Sequence, residues 1–247
     1  MISICMACRN GEKFIGKQIQ SILSQIGDDD ELIISDDQST DNTVTIIESF
    51  NDKRIKIYKH EPPKIKAKFG RNFYFATANF ENALKHASGD ICFLTDHDDI
   101  WPEDKVKECI SALKKCDFVQ TNFSLINEND EITNPKFLNY NPIEHGLLKT
   151  LWICKMQGCT MAFKRCVLDK ALPFPRKLML HDAWLGLIAK KYFKVGYIDK
   201  PLLMYRRTGN NVSTSGGKSN NPTWFRFYYR IKLLMQLFIR FYKRGRK

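Results

Sequence analysis

Phe93-Leu94-Thr95-Asp96-His97-Asp98-Asp99-Ile100-Trp101-Pro102 decides the fold. Apolar residues run straight into three carboxylates within four positions, and a proline stops the pattern. Such a run reads as a buried strand that delivers acids to its C-terminal end. Carboxylates crowded this closely repel one another unless a cation sits among them. A hard divalent ion is the simplest partner, with a diphosphate as its further ligand. Capping of the next helix by Asp98 or Asp99 is the plainer alternative.

A second segment repeats the design. Glu31-Leu32-Ile33-Ile34-Ser35-Asp36-Asp37-Gln38-Ser39-Thr40-Asp41 is a short apolar strand ending in paired acids. The polar turn after it caps a helix running through Val44, Ile47 and Phe50, which accounts for Asp41. Two strands that release acids at one edge are what the ligand crevice of an open α/β sheet requires.

Around these segments, strands and helices alternate at short spacing. Strands are predicted over residues 2–6, 32–35, 54–58, 91–95 and 117–121. Helices are predicted through Ile15–Ile26, near 42–50, through Phe80–Ala87 to Gly89, and over about 103–115. Residues 60–72, polar and carrying Pro62-Pro63, are expected to form a mobile loop. The alternation argues for a doubly wound, mostly parallel α/β sheet. In the less regular second half, Cys159–Phe163, Val195–Ile198 and Leu202–Arg206 read as strands and His181–Tyr192 as a helix. Residues 207–222, rich in Gly, Ser and Asn, are expected to be flexible.

At 247 residues with 43% hydrophobic content, the chain has ample material for one large domain with an extension. Its eight cysteines lie mostly in apolar runs, as reduced buried thiols do. The Cys5-Met6-Ala7-Cys8 spacing lacks a second Cys/His pair, so it reads as structural rather than zinc-binding. Met1 leads directly into apolar sequence with no basic segment before it, and no apolar run approaches a membrane span. A cytoplasmic protein is expected. The net charge of +12 is concentrated: residues 223–247 hold eight cations and no acid, leaving +4 for residues 1–222.

Five segments in order resemble the family-2 glycosyltransferases of the GT-A fold: Ile2–Glu12, Ile34–Asp41, Ala87–Asp90 leading to Asp96-His97-Asp98, Gly158–Phe163, and His181-Asp182-Ala183-Trp184. The resemblance runs from Ile2 to about Asn211 and is similar to members that build bacterial surface polysaccharides, including rhamnosyltransferases. It implies transfer of a sugar, with inversion, from a UDP- or dTDP-linked donor to a glycan or lipid-linked acceptor. It implies that Ala7, Arg9, Asn10, Asp36 and Asp37 bind the nucleotide. Asp98 would ligate Mn2+ or Mg2+, with Asp96 assisting through the ribose or a water, and Asp182 would be the catalytic base. His181 either orients Asp182 or the acceptor or simply starts a helix; Trp101 is either a sugar contact or core; Trp184 reads as core and His97 as structural. Many relatives carry a histidine where this chain has Thr208, which leaves Arg206 or Arg207 to contact the diphosphate.

The expected organisation is a catalytic domain over 1–222, comprising a nucleotide-binding half (1–122) and an acceptor-side half (123–222), followed by a tail over 223–247. In the tail, Phe227, Ile231, Leu234, Phe238 and Phe241 share one helical face, and the cations occupy the opposite arc. That pattern suits a helix lying peripherally on the anionic inner face of the cell membrane. A helix packed on the catalytic domain with a solvated basic face is the alternative. No nucleic-acid module is recognisable, so nucleic acid is not an expected partner. Two other functions share the composition: a sugar-phosphate nucleotidyltransferase, whose Gly-rich basic phosphate loop Ala7–Gly11 represents poorly, and an inactive membrane-bound adaptor on the same fold.

Overall fold

The computed structural model describes residues 1–65, 70–153, 156–208 and 222–244. Within them, β1 (Ile2–Cys8), β2 (Glu31–Asp36), β3 (Ile55–Lys59) and β4 (Ile91–Asp96) run parallel in the order β3-β2-β1-β4. The sheet continues through β7 (Met161–Lys164), antiparallel to both neighbours, to β5 (Phe118–Ile126). β6 (Ile132–Asn134) and β8 (Val195–Arg206) both pair with β5, completing a mixed, mostly parallel sheet of eight strands.

Alternation along the strands builds two cores. In β1, Ile2, Ile4, Met6 and Cys8 join one apolar cluster, while Cys5 and Ala7 join the other. The first cluster takes Ile15, Ile19 and Ile22 of α1 (Ile15–Leu23), Ile47 of α2 (Thr43–Ser49) and Val106 and Cys109 of α4 (Lys105–Leu113). The second takes Phe80, Ala83 and Leu84 of α3 (Arg71–His86) and residues of α5 (Leu147–Ile153), α6 (Arg165–Ala171) and α7 (His181–Tyr192). Helices on both faces explain why β1 and β2 read as unbroken apolar runs. Cys5 and Cys8 face opposite cores and cannot share a metal.

Several boundaries differ from the sequence reading. α3 begins at Arg71, inside the stretch expected to be loop, with Gly70 at φ +69° before it. Residues 66–69 of that loop lie outside the described residues, as do 209–221 of the segment expected to be flexible. Gly158–Thr160 forms a 3-10 turn, closed by the Thr160 hydroxyl donating to the Gln157 carbonyl at 2.7 Å, so β7 starts only at Met161. The two strands expected near the end of the domain are one, β8, which shifts register where Pro201 meets Asn122 and has no N–H to donate.

α8 (Thr223–Arg244) packs on the domain, and it does so with the arc that carries its cations. Phe225, Leu233 and Leu237 are buried. Lys232 Nζ donates to the Tyr74 hydroxyl at 2.9 Å, and Arg230 Nε to the Trp152 carbonyl at 2.8 Å. Arg240 donates to the Lys170 and Ala171 carbonyls at the end of α6 and lies over the Trp184 ring. The other face is left outside: Phe227, Tyr228, Ile231, Leu234, Met235, Phe238 and Tyr242 are all exposed. Phe241, expected on that face, turns inward against Tyr192. Neither sequence alternative anticipates a docked helix whose outer surface is apolar.

Candidate active site

β1, β2 and β4 end side by side, with Cys8 paired to Asp36 and Ala7 to Asp96. A cleft of about 1000 Å³ opens over these C-terminal ends, where ligands of open α/β sheets bind. Asp37, Asp96, Asp98 and Asp182 all line it, with Ala7, Arg9, Asn10 and His181. Asp182 enters from α7, whose neighbouring His181 packs on Phe80 of α3, so the fold brings together acids widely separated in sequence.

At the β2 end, Asp37 is 3% exposed and accepts from His60 Nδ1 at 2.8 Å; Arg9 Nη1 stands 3.5 Å from its other oxygen. Asn10 adopts φ +49° and its Oδ1 accepts the Thr40 N–H at 2.9 Å, tying the first loop to the second. Gly11 follows because a Cβ there would lie 2.5 Å from the His97 ring. His97 is thereby wedged between the loop and β4, the structural role its sequence suggests.

At the β4 end, burial and then the nearby Asp98 charge push Asp96 up to about 7. The Cys159 thiol donates to Asp96, and burial raises that thiol so far that it stays neutral. Asp96, Asp99 and Cys159 each bring a ligand atom within 4.8 Å of the others. Asp99 Oδ2 is buried without a hydrogen-bond partner, and burial with the Asp98 and Asp96 charges raises Asp99 well above the carboxylate range. This concentration of carboxylates fits a hard divalent cation at the cleft-facing Asp96 and Asp98. The neutral thiol of Cys159 is a poor ligand for such an ion.

Asp182 occupies the first turn of α7. Burial pushes it up to about 6, opposed by the Ala183 N–H that donates to its Oδ1 at 2.7 Å. A carboxylate so placed is ionised near neutrality yet more basic than an exposed aspartate. His181 beside it stacks on Phe80 at 4.3 Å, and burial lowers it to about 3, so it is a neutral imidazole. Gly158 makes room for it, since a Cβ there would lie 3.0 Å from His181 Nε2.

Four residues singled out in the sequence fall outside the cleft lining. Asp36 is spent on its own turn: it accepts from Ser39 N at 3.1 Å, from the Ser39 hydroxyl, and from the Cys8 thiol at 3.5 Å. Trp101 is 3% exposed, donates to Thr95 Oγ1 at 3.1 Å and packs on Phe93, which makes it core. Arg206 is fully buried; Nε donates to the Asp98 carbonyl at 2.8 Å, and Nη1 pairs with Asp130 at 2.6 Å. Arg207 donates its backbone N–H to Ile126 and does not line the cleft, whereas Thr208 does. His60 and Asn79 were missed by the sequence reading. His60 ends an edge strand in polar sequence, and Asn79 sits among helix residues. Asn79 Nδ2 donates to the Cys8 carbonyl at 3.1 Å and lines the cleft.

The family model "Glycosyl transferase family 2" matches residues 3–172. The chain belongs to this family. This glycosyltransferase is 31% identical over 233 residues to the UDP-Glc:alpha-D-GlcNAc-diphosphoundecaprenol beta-1,3-glucosyltransferase WfgD of Escherichia coli, covering 91% of this chain and 84% of that one. It is 32% identical over 221 residues to the dTDP-rhamnosyl transferase RfbG of Shigella flexneri, covering 83% and 72%. Among solved structures it resembles S. aureus TarS 1-349 in complex with UDP-GlcNAc, at TM-score 0.66 and 18% identity, covering 96% of this chain and 72% of that one. The likeness establishes the GT-A fold, and family membership removes support from the nucleotidyltransferase alternative.

Proposed function

We propose that this glycosyltransferase transfers a sugar, with inversion, from a UDP- or dTDP-linked donor to a lipid-linked glycan acceptor at the inner membrane face. One observation carries the reading: Asp98 and Asp182, far apart in sequence, line one cleft together with Asp37. Asp37 holds the base, and the first loop, Ala7 to Asn10, lies along the nucleotide. Asp96 and Asp98 would hold Mn2+ or Mg2+; two solved structures similar in fold, from Pyrobaculum calidifontis and Mycobacterium tuberculosis, contain Mn2+ with a nucleotide. An ion held there would supply positive charge against the departing diphosphate. Asp182 takes the proton from the acceptor hydroxyl as that oxygen attacks the anomeric carbon from the side opposite the leaving group. The acceptor class follows the E. coli relative, whose name specifies a diphosphoundecaprenol-linked sugar.

The membrane reading is supported by α8 and α5 together. Leu148 and Trp152 of α5 are exposed beside Phe227, Ile231 and Leu234, and the Trp152 and Phe227 rings touch edge to face at 5.3 Å. Contiguous exposed aromatic and aliphatic side chains of this kind suit insertion at headgroup depth. Among the described residues no helix is long and apolar enough to cross a membrane. Tyr229, on the same helix, lines the cleft, so a membrane-held acceptor would meet the site directly. A panel of nucleoside diphosphates assayed by thermal shift with and without Mn2+, followed by mass spectrometry of products from candidate donors, tests the reading. Stabilisation by no nucleoside diphosphate would overturn it.

A further inference from the structure

A second cavity, of about 370 Å³, lies between α5 and α8 on the outer surface. The buried Leu151 lies at its base, and the exposed Leu148, Trp152, Ile231 and Leu234 form its walls. The walls are pinned together. Arg230 Nε donates to the Trp152 carbonyl at the end of α5, at 2.8 Å, while Nη1 donates to the Arg226 carbonyl at 2.9 Å. The groove is therefore formed in advance of any ligand. Its lining holds two cations, Lys149 and Arg230, and no acid; α8 carries no acid along its whole length. The groove also adjoins the active-site cleft. Tyr229 lines the cleft and Arg230 the groove, and neighbours on a helix point about 100° apart. Trp152 in the groove and Met156 in the cleft, four residues apart, make the same division beside the end of α5.

We propose that this groove holds the first part of the acceptor's own hydrocarbon chain, with the lipid's phosphate groups at Lys149 and Arg230 and the sugar reaching past α8 into the cleft. The inference rests on the lipid-linked acceptor proposed above. Such a molecule carries three unlike parts in a fixed order: sugar, anionic phosphate, apolar chain. Through Tyr229, Arg230 and Ile231 the surface of α8 passes from cleft to cation to apolar groove, in that order. General insertion of α8 into a bilayer needs no cavity, whereas a groove with a fixed apolar base suits a single chain. A second copy of this chain is a poorer occupant. A two-fold contact would set the groove against itself and bring cations onto cations, with no acid in the lining to pair them.

Isothermal titration of the full-length protein, with Mg2+ and saturating UDP to keep the donor site filled, tests this. The probes are farnesyl diphosphate and inorganic diphosphate. Farnesyl diphosphate should bind at least about tenfold more tightly, and Leu148→Ser combined with Leu234→Ser should remove that advantage, since the two leucines supply much of the apolar wall. UDP binding should be unchanged in the double variant, which a structural lesion would not allow. Phe238→Ser combined with Tyr242→Ser alters the same exposed face of α8 outside the groove and should leave farnesyl diphosphate affinity as it is. Equal affinity for the two probes would overturn the inference. So would an equal loss in both double variants, which would show a generally adhesive face. A dimer of the wild type that Leu148→Ser with Leu234→Ser dissolves would assign the groove to a second copy instead. Failure to pellet with anionic liposomes while farnesyl diphosphate still binds would end the membrane reading and leave the groove standing.

Discussion

Arg206 and Asp99 are bound through the main chain of one and the side chain of the other: the Arg206 N–H donates to Asp99 Oδ1 at 3.0 Å. With Nε on the Asp98 carbonyl and Nη1 on Asp130, this buried arginine clamps the acid-bearing turn after β4 onto the end of β8. Its guanidinium also lies over the Phe14 ring at 4.4 Å. Arg206→Ala keeps the main-chain bond to Asp99 but takes the guanidinium from the Asp98 carbonyl and from Asp130, which retains Lys17, a loss of about 1.5–3 kcal/mol, the scale of a hydrogen bond to a charged group. Urea unfolding should show that loss, and Mn2+-dependent nucleotide binding should weaken because Asp98 loses its brace. Unchanged stability would mean the clamp carries no load.

Asp98 and Asp182 should fail differently. Asp98→Ala removes the Mn2+-dependent part of nucleotide stabilisation in a thermal-shift assay. Asp182→Asn leaves that stabilisation intact and lowers turnover by at least ~10²-fold, the scale of a lost general base. Near-full transfer by Asp182→Asn would remove the base assignment while leaving the donor reading untouched.

The position of Asp182 fixes a pH dependence. Burial raises it to about 6, so below that pH the base is protonated and turnover falls. Asp96 is also raised, to about 7, but a bound cation favours its charged form and removes its limb from the profile. At saturating Mn2+ the kcat profile should therefore retain one acidic limb near 6, absent from Asp182→Asn. Stability moves the opposite way. An acid whose folded pKa is raised costs stability once pH exceeds its unfolded value of about 3.9, and the cost is complete above about 6. Asp182→Asn should be more stable than wild type at neutral pH, and the gain should shrink as pH falls through that window.

The outer face of α8 can be tested without disturbing its inner face. Trp152→Ser combined with Phe238→Ser should abolish pelleting with anionic liposomes while nucleotide binding persists. Because Lys232, Arg230 and Arg240 contact the protein, wild-type pelleting should largely survive high salt, in contrast to a purely coulombic attachment. Deleting 223–247 is a poor control. Phe225, Leu233 and Leu237 each bury a side chain worth roughly 1.5–3 kcal/mol, and their loss uncovers the core beneath. Full-length protein that ignores anionic liposomes would end the membrane reading.

The parallel half of this fold was legible because its strands are buried on both faces and its acids sit at strand ends. β1, α1, β2, β4 and α7 follow from apolar period and punctuation alone. The second half of the chain was harder. β7 pairs over only three residues on each side, and α5, α6 and β6 are too short to show a period. Asp37, Asp96, Asp98 and Asp182 reach the cleft as the sequence suggested, but Trp101 and Arg206 do not. An arginine is seldom buried, and only the tertiary partners Asp99, Asp130 and Phe14 make it so. His60 gave no signal because its meaning depends on Asp37, 23 residues earlier.

β7 joins the two halves of the sheet through three residue pairs to β4 and three to β5. The strand ends that frame Asp37 and Asp96 lie on one side of that seam, while the helix that carries Asp182 packs on α3 through His181 and Phe80, so the helical layer bridges it. A chimera cut at β7 would therefore have to preserve the α3–α7 contact as well as the strand pairing on either side.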